Sequence, residues 1–438
     1  MSRLVPENIE WQTLGSEMYR LITRLYPICR SITGEGVRET LNIISQYIPM
    51  EMHEVPSGTR VFDWTIPKEW NIKSAYIENS EGKKIIDFEN LNLHVLNYSI
   101  PVNKHVSLDE LKSHLYSLPE YPDLIPYKTS YYQENWGFCM AHSQLLSLKE
   151  GDYHVFIDSS LENGSLTYGE LLIKGEISDE ILISTHVCHP SLCNDNLSGI
   201  VISTHLARLI SNSKPKYSYR FLFIPGTIGS ITWLKMNEKK VKKIKYGLVI
   251  TLLGDDSDFT YKKSRKGNTA IDRAVELYLK TNNKPSALID FVPYGYDERQ
   301  YCSPGFDLPV GCFTRKPYGE FPEYHTSADN LEFVKPDRLS ESLQAVAGIL
   351  DILENNNTYI NLNPKCEPQL GKYGLYDKLG GTNESKISQL ALLWVLNYSD
   401  SFNSLLDIAL KSKIKFGIIK IAADALCECN LLKKSEQS

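Results

Sequence analysis

The spacing of apolar residues changes along the chain, and each change predicts a different kind of structure. Residues 8–48 place apolar side chains three and four positions apart, which predicts two helices separated by a glycine-containing loop. From about residue 50 to 180, short runs of alternating polarity are interrupted by proline, glycine and asparagine, which predicts strands. Within this stretch, residues 65–130 are rich in proline, tyrosine and asparagine, so we expect an inserted β-rich subdomain there.

The pattern changes again at Glu180, where apolar strands begin to alternate with helices. Continuous apolar segments such as EILISTH and RFLFIPG are interleaved with amphipathic segments such as GIVISTHLARLIS. Strands that are apolar throughout are covered on both faces, and their alternation with helices predicts a mostly parallel, mixed sheet flanked by helices. The predicted fold class is therefore α/β. In such sheets, functional groups lie beyond the carboxyl ends of the strands.

The predicted domain boundaries follow these changes of pattern. Residues 1–64 and 131–360 are expected to form one α/β domain, which the 65–130 insertion interrupts. A polar linker, ENNNTYINLNPKCEPQLG, leads from this domain to residues 365–438. In that last region, two helical segments joined by a short turn predict a helix-turn-helix layout of the winged-helix kind.

Composition and charge exclude several classes of protein. Hydrophobic residues make up 42% of the 438 residues and charged residues 23%, which is typical of a folded globular chain. The formal net charge of −6 lacks the basic character of a dedicated nucleic-acid binder. Residues 365–438 contain ten lysines and eight acidic residues, too even a balance for many phosphate contacts. We therefore expect this region to bind a protein partner or to form a homo-oligomer rather than to bind nucleic acid.

The N-terminal sequence and the cysteines predict a cytoplasmic protein. The segment MSRLVPENIEWQTLG lacks the apolar core of a signal peptide, and no stretch has the roughly 18 consecutive apolar residues of a membrane helix. We expect no membrane partner. The nine cysteines are scattered without the paired spacing of a zinc ribbon, so reduced thiols are expected.

Two imidazoles and one carboxylate lie close together in sequence at the end of a predicted strand. The strand EILISTH ends at His186, His189 follows in the next loop, and Asp195 precedes a predicted helix. Side chains at a strand end and at a helix N-terminus converge on one crevice, and neutral imidazole and carboxylate are ligands that suit Zn²⁺. In the alternative interpretation, Asp195 caps the helix and His189 packs in a loop.

A second segment, YGEFPEYHTSADNLEFVKPDRL, contributes His325 in a turn-rich stretch. Asp329, four residues later, is expected to hold the second ring nitrogen of His325, as metal-bound histidines usually require. The alternative is that Asp329 or Ser327 caps the helix that begins near Asn330. Alone, this segment is a weak signal.

Together, the two segments resemble the zinc aminopeptidases with paired metals. The fingerprint of that family is a strand ending in H-x-D, then D-N-x-S-G at the start of a helix, and much later Y-H-T-x-x-D. This chain has His186, then residues 195–199, then residues 324–329 at the matching positions. The whole chain is also similar to a bacterial aminopeptidase-like group with an inserted β domain and a C-terminal winged helix. The resemblance implies a peptidase-like α/β domain in residues 1–64 and 131–360.

The chain departs from this fingerprint at positions that matter for the chemistry. Cys188 replaces the carboxylate of H-x-D, and Thr227 and Ile228 fall where the family has an adjacent pair of glutamates, a general base and a metal ligand. A later aspartate of the family falls on Thr251. Because two ligands and the usual base are missing, we expect one Zn²⁺ per chain rather than two.

The remaining family positions supply three ligands for that ion. His186, Asp195 and His325 would give the arrangement of three protein ligands and one water that catalytic zinc sites have. His189 is either a fourth ligand, which would close the site, or a hydrogen-bond partner of the substrate. Cys188 and Cys193 are lesser candidates.

A replacement general base is also needed. Glu298 in the segment GYDERQYCSPG is the first candidate, and Glu323, two residues before His325, is the second. Arg299, beside Glu298, could bind a carboxylate or an oxyanion. In the alternative interpretation, residues 297–299 form a solvated turn, as most charged clusters do.

These residues predict a zinc-dependent, aminopeptidase-like hydrolase that cleaves an amide bond of a small peptide or aminoacyl substrate. Two alternatives stay open. The first is a catalytically inactive protein that binds a small ligand on the same scaffold. The second is a ligand-sensing regulator, in which the pocket controls the C-terminal domain.

Overall fold

Helices and strands form largely where the apolar spacing predicts them. The structure is a computed structural model that describes residue 4 and residues 9–282, 285–375 and 383–435, with the backbone alone for 383–388. The remaining parts of the predicted domains lie outside this description. The helices are α1 (Trp11–Leu25), α2 (Glu35–Ile44), α3 (Leu108–Lys112), α4 (His142–Leu146), α5 (Gly199–Ser211), α6 (Ile228–Met236), α7 (Ala270–Thr281), α8 (Glu298–Tyr301), α9 (Pro336–Asn355), α10 (Asn383–Tyr398), α11 (Leu405–Ser412) and α12 (Phe416–Glu428).

The strands range in length from two residues in β2 to eleven in β9. They are β1 (Glu51–Pro56), β2 (Arg60–Val61), β3 (Trp64–Thr65), β4 (Glu69–Glu78), β5 (Lys84–Asp87), β6 (Val102–Ser107), β7 (Leu115–Tyr116), β8 (Phe138–Cys139), β9 (Asp152–Glu162), β10 (Ser165–Ile173), β11 (Glu180–His186), β12 (Ser218–Ile224), β13 (Ile244–Ile250), β14 (Phe259–Lys262), β15 (Ser286–Ile289), β16 (Val310–Thr314), β17 (Thr358–Asn361), β18 (Asp400–Ser404) and β19 (Leu432–Lys434).

The largest sheet has eight strands in the order β1-β10-β12-β11-β13-β16-β14-β15. Its four central strands, β12-β11-β13-β16, are parallel, whereas β1, β10 and β14 pair antiparallel with their neighbours. β11 and β12 are buried over their whole length, as their continuous apolar sequences predict. The predicted α/β fold with a mixed sheet flanked by helices is confirmed, and four parallel strands form the sheet centre.

A smaller, four-stranded sheet lies within the β-rich part of the chain, in the order β5-β4-β9-β6. β4, β5 and β6 come from the predicted 65–130 insertion, but β9 joins them from beyond it and pairs with both β4 and β6. This sheet has its own apolar cluster, which includes Ile77, Val106 and Val155. The small sheet therefore does not end at residue 130, because a later strand completes it.

The chain divides into two compact units. One consists of Met1–Glu7, Asn268–Ser286 and Ala345–Ser438, and the other of Asn8–Gly267 and Ala287–Gln344. The second unit contains the eight-stranded and four-stranded sheets, apart from Ser286 of β15, and it carries every candidate site residue.

The first unit contains the predicted winged-helix region, which is confirmed. Helices α11 and α12 form the helix-turn-helix, and Lys413 stands between them with a left-handed φ of 58°. A three-stranded sheet in the order β18-β17-β19 completes the motif. Among the helices that the structure describes, none is both long and apolar enough to cross a bilayer.

Candidate metal centre

The predicted ligands lie where the central strands of the large sheet end. His186 is the last residue of β11, and the chain then forms an irregular helical turn, Cys193–Ser198, before α5 begins. In this turn Asp195 and Asn196 depart from helical dihedrals, and Asn196 has a left-handed φ of 116°. The departure turns Asp195 back towards the end of β11, since Asp195 Oδ1 accepts a hydrogen bond from His186 Nε2 at 3.0 Å.

Gly199, the last residue of the D-N-x-S-G motif, lies where there is no room for a side chain. A Cβ atom at this position would lie 2.4 Å from the carbonyl oxygen of Ile250 and 2.5 Å from Thr185 Oγ1. These distances are shorter than a side chain tolerates, so a glycine is needed where α5 starts against β11 and β13. The close approach holds the turn that carries Asp195 at the carboxyl edge of the sheet.

Asp329 has a different role from the predicted one. Its carboxylate accepts hydrogen bonds from the backbone amides of Asn194 and Asp195 at 2.6 and 2.8 Å, and its carbonyl oxygen accepts one from the amide of Cys193. Burial raises the pKa of Asp329 to about 8, against the effect of these amides. Asp329 therefore ties the Asp195 turn to the His325 segment and is not the hydrogen-bond partner of the His325 ring.

The predicted insertion helps to hold His325. His325 has a left-handed φ of 54°, and its carbonyl oxygen accepts a hydrogen bond from the amide of Tyr127 at 2.7 Å. Ile125 and Ser327 exchange two further hydrogen bonds, one through the Ser327 hydroxyl. The end of the 65–130 segment thus fixes the loop that presents the third predicted ligand.

The structure brings the four predicted ligands together, with the three histidines around Asp195. His186 Nε2 lies 3.0 Å from Asp195 Oδ1, while His325 Nε2 and His189 Nε2 lie 2.9 and 3.8 Å from Asp195 Oδ2. Ligand atoms of His186, His189 and Asp195 all lie within 4.8 Å of one another. His325 is 32% exposed, whereas the other three side chains are buried, so the cluster opens towards solvent on the His325 side.

Several polar atoms of this cluster have no hydrogen-bond partner among the residues that the structure describes. Asp195 Oδ2 and His325 Nε2 lie 2.9 Å apart as a buried ion pair, and neither atom has a hydrogen-bond partner among these residues. His186 Nδ1 is also buried and unpartnered. Buried polar atoms are rarely left in this state, and a cation between Asp195 Oδ2 and His325 Nε2 would satisfy both of these atoms. Two or three imidazoles with one carboxylate are a donor set that fits Zn²⁺.

The protonation states also suit a cation. Burial alone would raise the pKa of Asp195, but the neighbouring imidazoles, His189 first, outweigh burial and hold this pKa well below its ordinary value. Burial lowers the pKa of His189 well below its ordinary value. At neutral pH the cluster therefore offers an ionised carboxylate and a neutral imidazole, the forms that coordinate metals.

Cys188, which replaces a family carboxylate, contacts His189. Its Sγ atom lies 3.3 Å from His189 Nδ1 and 3.3 Å from the hydroxyl of Tyr296. Burial raises the pKa of this thiol to about 12, so it is protonated at neutral pH. Arg30 Nε donates to the carbonyl oxygen of His189 from the other side. These contacts fix His189 with its Nε2 atom towards Asp195.

Three tyrosines surround the imidazoles, and the sequence analysis assigned a role to none of them. The ring of Tyr296 lies 4.3 Å from that of His186, Tyr324 stacks on His325 at 4.0 Å, and Tyr127 lies 5.0 Å from both His189 and His325. The only sequence signal was Tyr324 in the Y-H-T motif. The other two stand among 26 tyrosines without a distinguishing pattern.

The residues predicted for catalysis lie in two places: Glu298 and Arg299 begin α8, and Glu323 lies shortly before His325. Glu298 is buried, forms an ion pair with Lys262, and accepts hydrogen bonds from the amide of Tyr296. Arg299 is half-buried, and its Nε atom has no partner within the described part of the chain. Glu323 is half-buried in the loop that carries His325. The contacts of Glu298 shape the loop of Tyr296, and its role as a base, like that of Glu323, stays a prediction.

Comparison with known proteins gives close relatives. Residues 19–356 match the family model described as a domain of unknown function, DUF4910, and residues 357–434 match a winged helix-turn-helix model. A Clostridium acetobutylicum protein is 56% identical over 96% of both chains; its name provisionally places it in polysaccharide biosynthesis and gives it an aminopeptidase-like domain. A solved structure from Clostridium acetobutylicum, named provisionally as a peptidase, has 54% identity, a TM-score of 0.93 and 97% coverage of both chains.

The resemblance to zinc aminopeptidases is confirmed at the level of the fold. A zinc aminopeptidase from Bacillus subtilis superimposes with a TM-score of 0.58 over 79% of this chain and 95% of that one. A peptidase precursor from Shewanella amazonensis superimposes with a TM-score of 0.55 over 78% of this chain and 96% of that one. At 11% and 13% identity, these likenesses show the shared fold alone.

The cluster predicts that the purified protein carries about one zinc ion per chain when chelators are avoided. His325→Ala should lower the zinc content markedly, because it removes one of the three imidazoles that face Asp195. Elemental analysis after dialysis measures this, with the exposed His105→Ala as a control that should keep its zinc. Full zinc occupancy in a His186→Ala, His325→Ala double variant would contradict the assignment.

Asp297, beside the site, predicts a pH dependence of stability. Burial raises its pKa to about 7, although Ser230 donates a hydrogen bond to it. Because the folded state holds this proton more tightly than the unfolded state, the residue destabilises the fold increasingly as pH rises from about 4 to 7, where the native carboxyl ionises. Asp297→Asn should therefore raise the melting temperature by a few degrees at pH 8 and leave it unchanged near pH 4. The exposed Asp258→Asn should show no such dependence, and a lower melting temperature of Asp297→Asn at pH 8 would refute this expectation.

Proposed function

The chain belongs to the family described as a domain of unknown function, DUF4910. From that premise we propose that it is a zinc-dependent hydrolase, which cleaves an amide bond of a small peptide or aminoacyl substrate. Its fold is that of aminopeptidases, and the proposed metal ligands are His186, Asp195 and His325, with His189 beside them.

The observation that carries this proposal is the set of buried, unpartnered atoms around Asp195. The carboxylate is shared by imidazoles on both of its oxygens, and one side of the cluster, at His325, is open to solvent. A cation held there would keep a position free for a substrate, which is the property that separates catalytic from structural zinc sites.

The surrounding residues suit amide hydrolysis. When bound, Zn²⁺ supplies Lewis-acid polarisation of a carbonyl oxygen and acidification of water. The rings of Tyr127, Tyr296 and Tyr324 limit the access of bulk water and give an acyl or amino group apolar faces to lie against. In the reaction, one water adds across the C–N bond, so that the acyl carbon becomes a carboxylate and the nitrogen leaves as an amine. A carboxylate of the chain must hold the proton in transit.

The name of the 56% identical relative suggests the wider process. That name places the Clostridium acetobutylicum protein in polysaccharide biosynthesis. Because this chain aligns with it over nearly its whole length, we propose that the amide substrate here also belongs to the synthesis of a polysaccharide. A cytoplasmic location, predicted from the sequence, is part of the same proposal.

A second candidate function also has support. Thr227 and Thr251 follow β12 and β13 at the edge where the zinc aminopeptidases that the sequence resembles carry carboxylates, and Glu298 is engaged by Lys262. The same scaffold would then bind a small ligand, with or without metal, and leave it intact. Turnover of aminoacyl amides separates the two candidates.

Substitution of the two candidate bases tests the catalytic proposal. Glu298→Gln should keep its zinc and lower kcat by about 10²–10⁴-fold, because a base acts on the proton and not on the metal. Glu323→Gln should have a smaller effect, since it is expected to act through His325. Hydrolysis of leucine p-nitroanilide by zinc-loaded protein measures both. An unchanged kcat in Glu298→Gln would transfer the role to Glu323, and a wild-type protein inactive on all aminoacyl amides would favour the binding function.

For the winged-helix region we propose protein interaction, with a second copy of the chain as the partner. Lys420, the one cationic residue of α12, pairs with Asp424 at 2.5 Å, so this helix offers little to a phosphate backbone. By contrast, Ile421 on the same helix is 66% exposed and Phe402 on β18 is 86% exposed. These two apolar side chains are the contacts that we propose for the second copy.

Phe402→Asp and Ile421→Asp should each lower the molecular mass of the protein in solution, because a buried carboxylate would oppose association. Sedimentation velocity measures the mass, and Leu146→Asp, which alters a residue 73% exposed in the other unit, serves as the control. A monomeric wild-type protein that binds duplex DNA in a salt-sensitive manner would contradict this proposal.

A further inference from the structure

A cavity of about 490 Å³ lies in the same unit as the metal cluster. Its walls include Ile231 and Leu234 of α6, and Gln300 and Phe306 at and after α8. Both helices begin beside the cluster, since α6 follows Thr227 and α8 follows Tyr296 and Asp297. The volume is in the range of small-molecule binding sites.

Exposed aromatic rings form one side of this cavity and continue beyond it. We call Phe62, Trp64, Tyr132 and Phe306 the aromatic shelf. Phe62 packs on Phe306 with ring centroids 5.8 Å apart, and Trp64 lies 5.6 Å from Tyr132. Phe62, Trp64 and Tyr132 are 40%, 44% and 49% exposed. Water-exposed rings grouped in this way are costly to maintain and mark sites that bind a ligand.

The backbone at the shelf is also unusual. Phe62 and Tyr132 have φ values of 57° and 66°, in the left-handed region that bulky residues rarely adopt. Strained backbone of this kind persists where the structure holds a side chain in a particular position, commonly at binding sites. Here it presents two rings to solvent where neither can contribute much to a core.

Aromatic side chains connect the shelf to the metal cluster. Tyr132 lies 6.5 Å from Tyr131, ring centroid to ring centroid, and the hydroxyls of Tyr131 and Tyr127 are 2.7 Å apart. Tyr127 in turn lies 5.0 Å from His189. Tyr127 is only 6% exposed, so this connection runs through the core and ties the shelf to the metal cluster by packing.

The cavity combines ring faces with polar side chains that have hydrogen-bonding capacity to spare. Asp63, Gln300 and Ser303 line it, and within the described residues their side chains form no hydrogen bond. The negative face of an aromatic ring attracts polarised C–H groups, and carboxylate, amide and hydroxyl groups pair with hydroxyls. A pyranose ring offers both features, an apolar C–H face and a rim of hydroxyl groups.

We propose that the aromatic shelf and its cavity bind the sugar units of an oligosaccharide that carries N-acylated amino sugars, and that the amide of one such sugar lies at the metal cluster. This inference rests on the proposed hydrolase function and names its substrate class. Removal of the acyl group by one water would leave a free amino sugar and a carboxylate.

Binding of the N-acetylglucosamine tetramer, chitotetraose, to the full chain tests the proposal. Isothermal titration calorimetry should show saturable binding that is tighter than that of the monosaccharide, because the tetramer spans the shelf. Trp64→Ala should weaken tetramer binding about tenfold, which corresponds to about 1.4 kcal/mol, and Tyr132→Ala should weaken it in the same direction. The matched control is Tyr121→Ala, which removes a ring that is 40% exposed outside the shelf and should leave the affinity unchanged.

The same titration separates this inference from the proposed function. Trp64-dependent binding of chitotetraose by His325→Ala would support the shelf even if no amide hydrolysis were ever found. Absence of saturable binding by the wild-type chain, or an equal loss in Tyr121→Ala, would overturn it even if aminoacyl amides were hydrolysed. Trp64-dependent binding of tetraalanine, without binding of chitotetraose, would also overturn it and assign the shelf to peptides.

Discussion

The organisation of the site depends on one buried carboxylate, Asp195, held among three imidazoles. A carboxylate removed from water is costly unless positive charge or hydrogen bonds compensate it. In this cluster one oxygen is paired with His186, and the other faces His325 and His189 without a hydrogen bond. A bound cation would remove this imbalance, and for that reason we interpret the cluster as a metal site.

Several elements of the second unit hold that carboxylate and its neighbours in place. The parallel centre of the large sheet delivers His186, and the close approach of α5 at Gly199 holds the Asp195 turn at the same edge. Asp329 then fastens this turn to a segment that is more than 130 residues away in the sequence, through two backbone amides. The end of the 65–130 segment holds the His325 loop through Tyr127. Residues distant in sequence thus converge because backbone groups, more than ligand side chains, are tied together.

The sequence was sufficient for the parts of this arrangement that follow local rules. Apolar runs predicted the central strands, and the D-N-x-S-G and Y-H-T-x-x-D motifs predicted which residues meet at their ends. Predictions from the sequence were wrong where tertiary packing determines the partner of a polar side chain. Asp329 was expected to hold His325 because it lies four residues away, yet it binds the Asp195 turn. Glu298 was predicted to be the general base because it lies in a charged loop, but in the structure it is buried and forms an ion pair with Lys262. The tyrosines around the imidazoles and the strand β9 of the small sheet gave no local signal of their partners.

The central claim is that Asp195 and its imidazoles hold one metal ion, and anomalous X-ray scattering tests it most directly. Crystals of protein purified without chelator should be measured on both sides of the zinc absorption edge. We expect a single anomalous peak per chain, within bonding distance of Asp195 Oδ2 and of the Nε2 atoms of His186 and His325. A cluster without such a peak in protein supplied with zinc, or a zinc ion bound elsewhere in the chain, would contradict the claim.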